Sequence, residues 1–366
     1  LKLPGCIFFT ILILLLTFSL SIHCPDAGAQ TSTSQKQQKS KKKSSPPKII
    51  TLGKYNDISR VKRRITEKKL SSTSKQTVAT SSNPKKETVD KAPVPANSFN
   101  KLISAKSAII IDARSGKTLF AKAPDNPRQP ASTIKILTGM IALKSLTGNE
   151  QVPVSSWAAG QPRSKVDLNP KKQYQAHDLI NAVLLASAND ASVALAEKIA
   201  GSESSFANLM TEKARQWGAQ NTVCKTATGL TAKGQTSTAR DLAVMFRHAM
   251  EEPAFAERMK QVKVKTTYGT LLRNHNKALW QVEGTQGGKT GFTNAARQTY
   301  VGKFKRGDCE IVVAVMGSET MWNDVKKLVQ RGFALQNRSS TASRNRIDEG
   351  QGLHALASVS DAGQRN

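Results

Sequence analysis

Cysteine is scarce, four in 366 residues, and no Cys-x-x-Cys or paired Cys/His spacing occurs. That excludes a disulfide-stapled scaffold and argues against a structural zinc site. Aromatic residues make up only 5% of the chain and are not interleaved with its basic runs. This disfavours a nucleic-acid platform, which stacks bases on aromatics set among cations. Acidic residues are few as well. Against 55 Lys and Arg stand 26 Asp and Glu, a formal charge of +29. Such an excess suggests an anionic partner without naming it. Hydrophobic residues reach just 38%, low for a chain packed throughout, so part of the length is expected to lie outside any core.

The charge is unevenly spread. Residues 1–29 hold only Lys2 and Asp26. Lys2, the apolar run from Ile7 to Ile22 and the small residues Ala27-Gly28-Ala29 predict a cleaved signal peptide, with a retained membrane anchor as the alternative. Either one places the remainder outside the cytoplasm, in a periplasm or other extracytoplasmic envelope. Residues 30–100 carry 17 Lys or Arg against 4 Asp or Glu, among many Ser, Thr and Gln. Such a stretch buries too little apolar area to offset its ordering entropy. It is expected to be a basic disordered linker, either a solvated tether or, through Ile58 to Leu70, a contact with an anionic wall or membrane surface. Residues 336–366 return to low complexity and are expected to form a disordered tail.

Residues 101–335 have the texture of a folded domain. Ser107 to Ile111 and Lys117 to Ala121 predict a strand hairpin across Ala113–Gly116. Helical patterns follow at Ser132–Leu146, His177–Ser187, Asp190–Ala200, Ser204–Trp217 and Thr238–Met250. Strand-like runs come next at Val262–Thr267, Gln286–Gly291, Gln298–Phe304 and Glu310–Met316, the last two joined by a turn at Arg306-Gly307-Asp308. A closing helix is expected over Thr320–Leu335. The order implies an α/β (α+β) fold, an antiparallel sheet flanked by helices with an inserted helical region.

Three short motifs carry chemistry. Ser132-Thr133-Ile134-Lys135 opens an apolar helix, so residues three apart share a face and Lys135 reaches the Ser132 hydroxyl. A lysine kept neutral by burial or a nearby cation activates such a hydroxyl, and the helix start offers N–H groups to an oxyanion. Ser132 read alone is simply an N-cap, and Ser-x-x-Lys also occurs twice in the linker, at Ser40 and Ser45. Ser187-Ala188-Asn189 sits between two helices and places a hydroxyl and a carboxamide, although on its own it reads as a helix cap. Lys289-Thr290-Gly291, after Gly287-Gly288, reads as an edge strand with a cation, a hydroxyl and room for close backbone approach, or else as a turn.

Together and in this order, the three motifs resemble those of the low-molecular-weight penicillin-binding proteins, the serine-type D-alanyl-D-alanine carboxypeptidases and related endopeptidases. The resemblance runs from about Ser104 to Gly332. It also takes in Leu184–Glu197, Thr228-Gly229-Leu230 and Ser237–Ala243. It implies a β-lactamase/DD-peptidase-like fold and catalytic roles for Ser132 as nucleophile, Lys135 as general base and Ser187 as proton relay. Asn189 would bind the substrate amide, and Lys289 and Thr290 the terminal carboxylate. Gly291 would leave room for the substrate backbone. The N–H groups of Ser132 and Phe292 would form the oxyanion hole. Peptidoglycan stem peptides are the implied partners, β-lactams the implied covalent inhibitors, and no cofactor or metal is implied.

Some positions depart from the pattern. His275, in Asn274-His275-Asn276, stands where relatives often carry a carboxylate-binding arginine, and is either its substitute or a surface histidine. Arg297 stands where relatives commonly have glycine. Only residues 333–366 follow Gly332, so the second β-domain and amphipathic helix of many relatives are not expected. Cys224 and Cys309, which remain after signal cleavage, are either paired or two buried thiols. The alternatives to the carboxypeptidase are a D,D-endopeptidase that cleaves cross-links and a non-catalytic cell-wall-binding protein. A class A β-lactamase is disfavoured, because no Glu-x-x-Leu-Asn lies between Ser187 and Lys289.

Overall fold

The computed structural model describes residues 96–338, all within the compact unit Lys86–Asn366. The expected signal or anchor, nearly all of the linker and most of the tail lie outside the described residues. In chain order the elements are α1 (Ala96–Asn100), β1 (Ser107–Asp112), β2 (Thr118–Lys122) and a 3-10 turn (Ala131–Ile134) that runs into α2 (Lys135–Ser145). Then come β3 (Gln151–Pro153), α3 (Ser156–Ala159), β4 (Gln173–Gln175), α4 (Ala176–Leu184), α5 (Asn189–Ala200), α6 (Glu203–Gln216), α7 (Ala239–Ala249) and α8 (Pro253–Lys260). The chain finishes with β5 (Lys263–Lys265), β6 (Leu271–Arg273), α9 (Ala278–Gln281), β7 (Thr285–Thr293), β8 (Arg297–Arg306), β9 (Cys309–Ser318) and α10 (residues 321–338).

Five strands form one antiparallel sheet in the order β2-β1-β9-β8-β7. Alternation along β1 and β9 shows why both are apolar almost throughout. Ile109, Ile111, Val312 and Ala314 point into one core with the helices of the inserted region. Ala108, Ile110, Val313 and Val315 point into a second core with Val325, Leu328 and Val329 of α10. A strand covered on both faces cannot alternate apolar with polar residues. The result is a layer of helices on each face, with β7 left at the sheet edge.

The expected strand–helix order and flanked antiparallel sheet are present, with local differences. The helix expected to reach Ser187 stops at Leu184, and Ser187 takes a left-handed φ of 59°, a turn before α5. The β5 strand is three residues, shorter than the Val262–Thr267 run. The end of the expected linker needs correction. Ala96–Asn100 is helical, and Phe99 is buried with its ring edge-on to Phe120 at 5.2 Å. Contacts to Phe99 and to the Asn100 carbonyl, which accepts from Lys122 at 2.9 Å, recruit residues that composition alone assigned to the tether. At the other end, α10 continues past residue 335 to 338. Cys224 and Cys309 are both free, and burial pushes the Cys224 thiol up to about 12. Among the described residues, no helix is long and apolar enough to cross a membrane.

Candidate active site

Ser132 lies in the 3-10 turn and Lys135 begins α2. The turn is held from both sides. Thr133 and Thr299 hydroxyls both donate to the Pro130 carbonyl, at 2.6 and 2.9 Å. Ala131 adopts a left-handed φ of 52°, a conformation that costs a non-glycine residue free energy and persists only where neighbours enforce it. Two glycines make that enforcement sterically possible. A Cβ on Gly229 would lie 2.1 Å from the Ala131 carbonyl oxygen, and one on Gly291 would lie 2.8 Å from the Ser132 nitrogen. Only bare backbone lets β7 and the Thr228–Leu230 loop close around the serine.

Lys135 is fully buried and has three neighbours. Its Nζ lies 2.6 Å from Asn189 Oδ1, 2.7 Å from the Thr228 carbonyl and 3.0 Å from Ser132 Oγ. The first two are obligate acceptors, whereas a hydroxyl also donates. A neutral amine has two N–H groups and one lone pair. Its two hydrogens satisfy Asn189 and Thr228, and the lone pair then faces the Ser132 hydroxyl. Electrostatics favours the same state. Burial holds the Lys135 ammonium well below the ordinary lysine range, and the nearby Lys289 charge lowers it further. The Asp190 and Glu203 carboxylates pull the other way.

Lys289 is also buried, on edge strand β7. It donates to Ser187 Oγ at 2.9 Å and to the Thr290 carbonyl at 3.1 Å. Burial lowers it to about 7. Ser187 and Lys289 thus form a second hydroxyl–amine pair beside Ser132 and Lys135. Asn189 joins the elements: its Nδ2 donates to the Pro162 carbonyl at 2.9 Å while its Oδ1 receives Lys135. The carboxamide expected to meet substrate is therefore bonded to the protein at both ends, although Asn189 also lines the cleft.

The cleft, about 490 Å³, is lined by Ser132, Ser187, Asn189, Thr290, Gly291 and Phe292. All belong to the residues expected from the sequence. Lys135 and Lys289 lie beneath its surface and reach it through hydroxyls. His275 also borders the cleft, presented by a turn in which the Asn276 N–H donates to Asn274 Oδ1 at 2.9 Å. Its residue surface is open, yet enclosure of the ring, then the charges of Lys289 and Lys135, hold it down to about 4. It is neutral at physiological pH. Arg297 takes a left-handed φ of 57°, the conformation a glycine would adopt freely, and its Nε meets Glu319 at 3.0 Å.

Sequence reasoning did not single out Arg163, Ser164, Lys277, Gln298, Met321 and Trp322, which also line the cleft. None belongs to a motif. The Thr228 carbonyl was missed because a backbone acceptor leaves no side-chain signature. Among the described residues, no group of three or more His, Cys, Asp or Glu side chains is arranged to hold a metal.

The chain has counterparts among known proteins. The family model described as D-alanyl-D-alanine carboxypeptidase matches residues 91–320. A curated relative, D-alanyl-D-alanine carboxypeptidase DacB2 of Mycobacterium tuberculosis, is 35% identical over 250 residues, 65% of this chain and 86% of its own. A crystal structure of D-alanyl-D-alanine carboxypeptidase from Mycobacterium tuberculosis H37Rv is 33% identical. It superposes with a TM-score of 0.61 over 67% of this chain and 95% of that one. Penicillin-binding protein D2 of Listeria monocytogenes, solved in an ampicillin-bound form, is 26% identical. Its TM-score is 0.58 over 63% of this chain and 98% of that one. The chain belongs to the D-alanyl-D-alanine carboxypeptidase family, a family of serine peptidases.

Proposed function

We propose that this chain is a serine-type D-alanyl-D-alanine carboxypeptidase of peptidoglycan stem peptides, working through an acyl-Ser132 intermediate. The observation that carries the reading is the hydrogen-bond set of Lys135, two obligate acceptors and one hydroxyl. Lys135 takes the Ser132 proton as Oγ attacks the penultimate D-alanine carbonyl. The N–H groups of Ser132 and Phe292 receive the oxyanion. The proton returns to the leaving amine through Lys135 and Ser187, and free D-alanine departs. Water then attacks the acyl ester, with the same lysine as base, and restores Ser132.

Lys289 and Thr290 bind the terminal carboxylate. A carboxylate arriving at Lys289 favours its ammonium form, which in turn keeps Lys135 neutral. β-Lactams acylate Ser132 because they present a carboxylate and a reactive carbonyl in the same relation. Family membership favours this reading over the endopeptidase alternative, and the Lys135 arrangement argues against a non-catalytic wall-binding role. An enzyme acting on peptidoglycan works outside the cytoplasm. In the reading proposed here, residues 1–29 direct export to the periplasm or equivalent space, and residues 30–95 tether the domain to an anionic surface.

The test incubates the purified chain and Ser132→Ala with a D-alanyl-D-alanine-terminated pentapeptide and with cross-linked muropeptides. Release of free D-alanine by the wild type alone is expected. Loss of cross-linked dimers without D-alanine release would transfer the reading to an endopeptidase. If labelled penicillin leaves no adduct on the wild type, acyl-serine chemistry is ruled out.

A further inference from the structure

The cleft holds more positive charge than one terminal carboxylate requires. Lys289 is buried and committed to Ser187 and Thr290. Arg163 and Lys277 also line the cleft, and no Asp or Glu does. A concave site lined by one sign of charge concentrates ligands of the other.

Arg163 is the better placed of the two cations. Its chain neighbours are both tied to Asn189. The Pro162 carbonyl accepts from Asn189 Nδ2 at 2.9 Å, and the Ser164 carbonyl accepts from the Asn189 N–H at 2.7 Å. The backbone of Arg163 is thereby strapped beside a residue in direct contact with Lys135. Its guanidinium, by contrast, is uncommitted. The side chain is 82% exposed, and its one ion pair among the described residues is a 3.9 Å approach to Asp167, itself 62% exposed. Asp167 is shared with Lys165 at 3.6 Å. His275 is tied to the same helical region, its N–H donating to the Leu185 carbonyl at 3.1 Å. Being neutral, it does not compete for an anion. Phe292, Met321 and Trp322 also line the cleft and offer no charge to an anion.

We infer that Arg163, assisted by Lys277, reads a second carboxylate of the substrate, one carried by a stem-peptide residue upstream of the scissile D-alanyl bond. The preferred substrate class is a stem peptide with a free carboxylate on that upstream part. Stems in which this group is amidated, or replaced by a plain amine side chain, are poorer. An arginine suits the role because its planar fork meets a carboxylate through two parallel N–H donors. The inference rests on the carboxypeptidase reading above.

The test uses the full chain and two D-alanyl-D-alanine peptides identical except for a free carboxylate or a carboxamide on the residue before the D-alanines. The wild type is expected to favour the carboxylate peptide about tenfold in kcat/KM, with the preference falling as salt is raised. Arg163→Gln should remove most of that preference and leave the carboxamide peptide within about twofold. Lys277→Gln should remove a smaller share. The rate of penicillin acylation, which does not involve the upstream carboxylate, reports that each variant retains its site. Equal losses on both peptides would assign Arg163 to the terminal carboxylate or to the fold and overturn the inference. A wild type that hydrolyses both peptides equally overturns it too. A wild type that hydrolyses neither defeats the underlying carboxypeptidase reading instead.

Discussion

The two lysines beneath the cleft are both buried but are satisfied differently. Lys135, at the start of α2, has two carbonyl-type acceptors and the Ser132 hydroxyl. Lys289, on the edge strand, has one carbonyl and the Ser187 hydroxyl. Burial disfavours both ammonium groups, and the Lys289 charge pushes Lys135 down further. Two like-charged groups placed together separate their protonation states, and each takes a different task. In the proposed reaction Lys135 is the base, while Lys289, lowered by burial to about 7, is the cation that a substrate carboxylate completes.

The comparison breaks most sharply at Lys135. Lys135→Ala removes the base and leaves Asn189 Oδ1 and the Thr228 carbonyl without their donor. Acylation by penicillin and by peptide should fall about 10²–10⁴-fold, the usual contribution of a positioned general base. Stopped-flow or gel-based acylation rates measure this. A loss under about tenfold would show that Lys135 is not the base. Without a base the step is lost whichever group ends the peptide, so peptides ending in an acid or an amide should both suffer.

Lys289→Ala should discriminate between those peptides. Hydrogen bonds to charged groups contribute about 1.5–3 kcal/mol, so kcat/KM for the acid-terminated peptide should fall roughly ten- to hundredfold. The already poor amide-terminated peptide should fall much less. The pH profile also moves. Removing the Lys289 charge relieves the repulsion that depresses Lys135, so the Lys135 pKa rises. The base is then neutral only at higher pH, and the acid limb of kcat/KM shifts upward. An unmoved acid limb would mean that the two amines do not communicate.

How much of this pairing was readable in advance depended on distance along the chain. Ser132 and Lys135 are three residues apart at a helix start, so their meeting followed from local geometry. Lys289 and Ser187 are distant in sequence, and only the order of the three motifs and the family resemblance joined them. The backbone partners left no trace of their own. The Thr228 carbonyl and the Pro162 and Ser164 carbonyls are identical in every residue type, and Arg163 lies in a loop without a motif. At the fold level, the uninterrupted apolar runs of β1 and β9 were legible as strands. The three-residue strands β3, β4 and β6 are too short for a period to show. Helix α1 depends on tertiary contacts, among them Phe99 on Phe120 and the Lys122 ammonium on the Asn100 carbonyl. Helix α8 begins at Pro253 behind a glutamate cap, a weaker start signal than Ser, Thr, Asp or Asn.

His275 offers the smallest effect and the finest test of the contrast between the lysines. It borders the same cleft and lies near both amines, whose charges contribute to holding it down to about 4. If it stood in for a carboxylate-binding arginine, it would have to be cationic at neutral pH. Its folded pKa lies below the ordinary histidine value, so protonation occurs only as pH falls through about 4, well under the working range. His275→Gln, which keeps a polar, uncharged group of similar reach, should therefore change kcat/KM for the acid-terminated peptide by no more than about threefold. Between pH 5 and 8 the ratio of variant to wild type should stay flat. A ratio that fell toward pH 5, where an imidazolium would be gained in the wild type, would make His275 a carboxylate ligand. It would then share with Lys289 the binding of the substrate terminus.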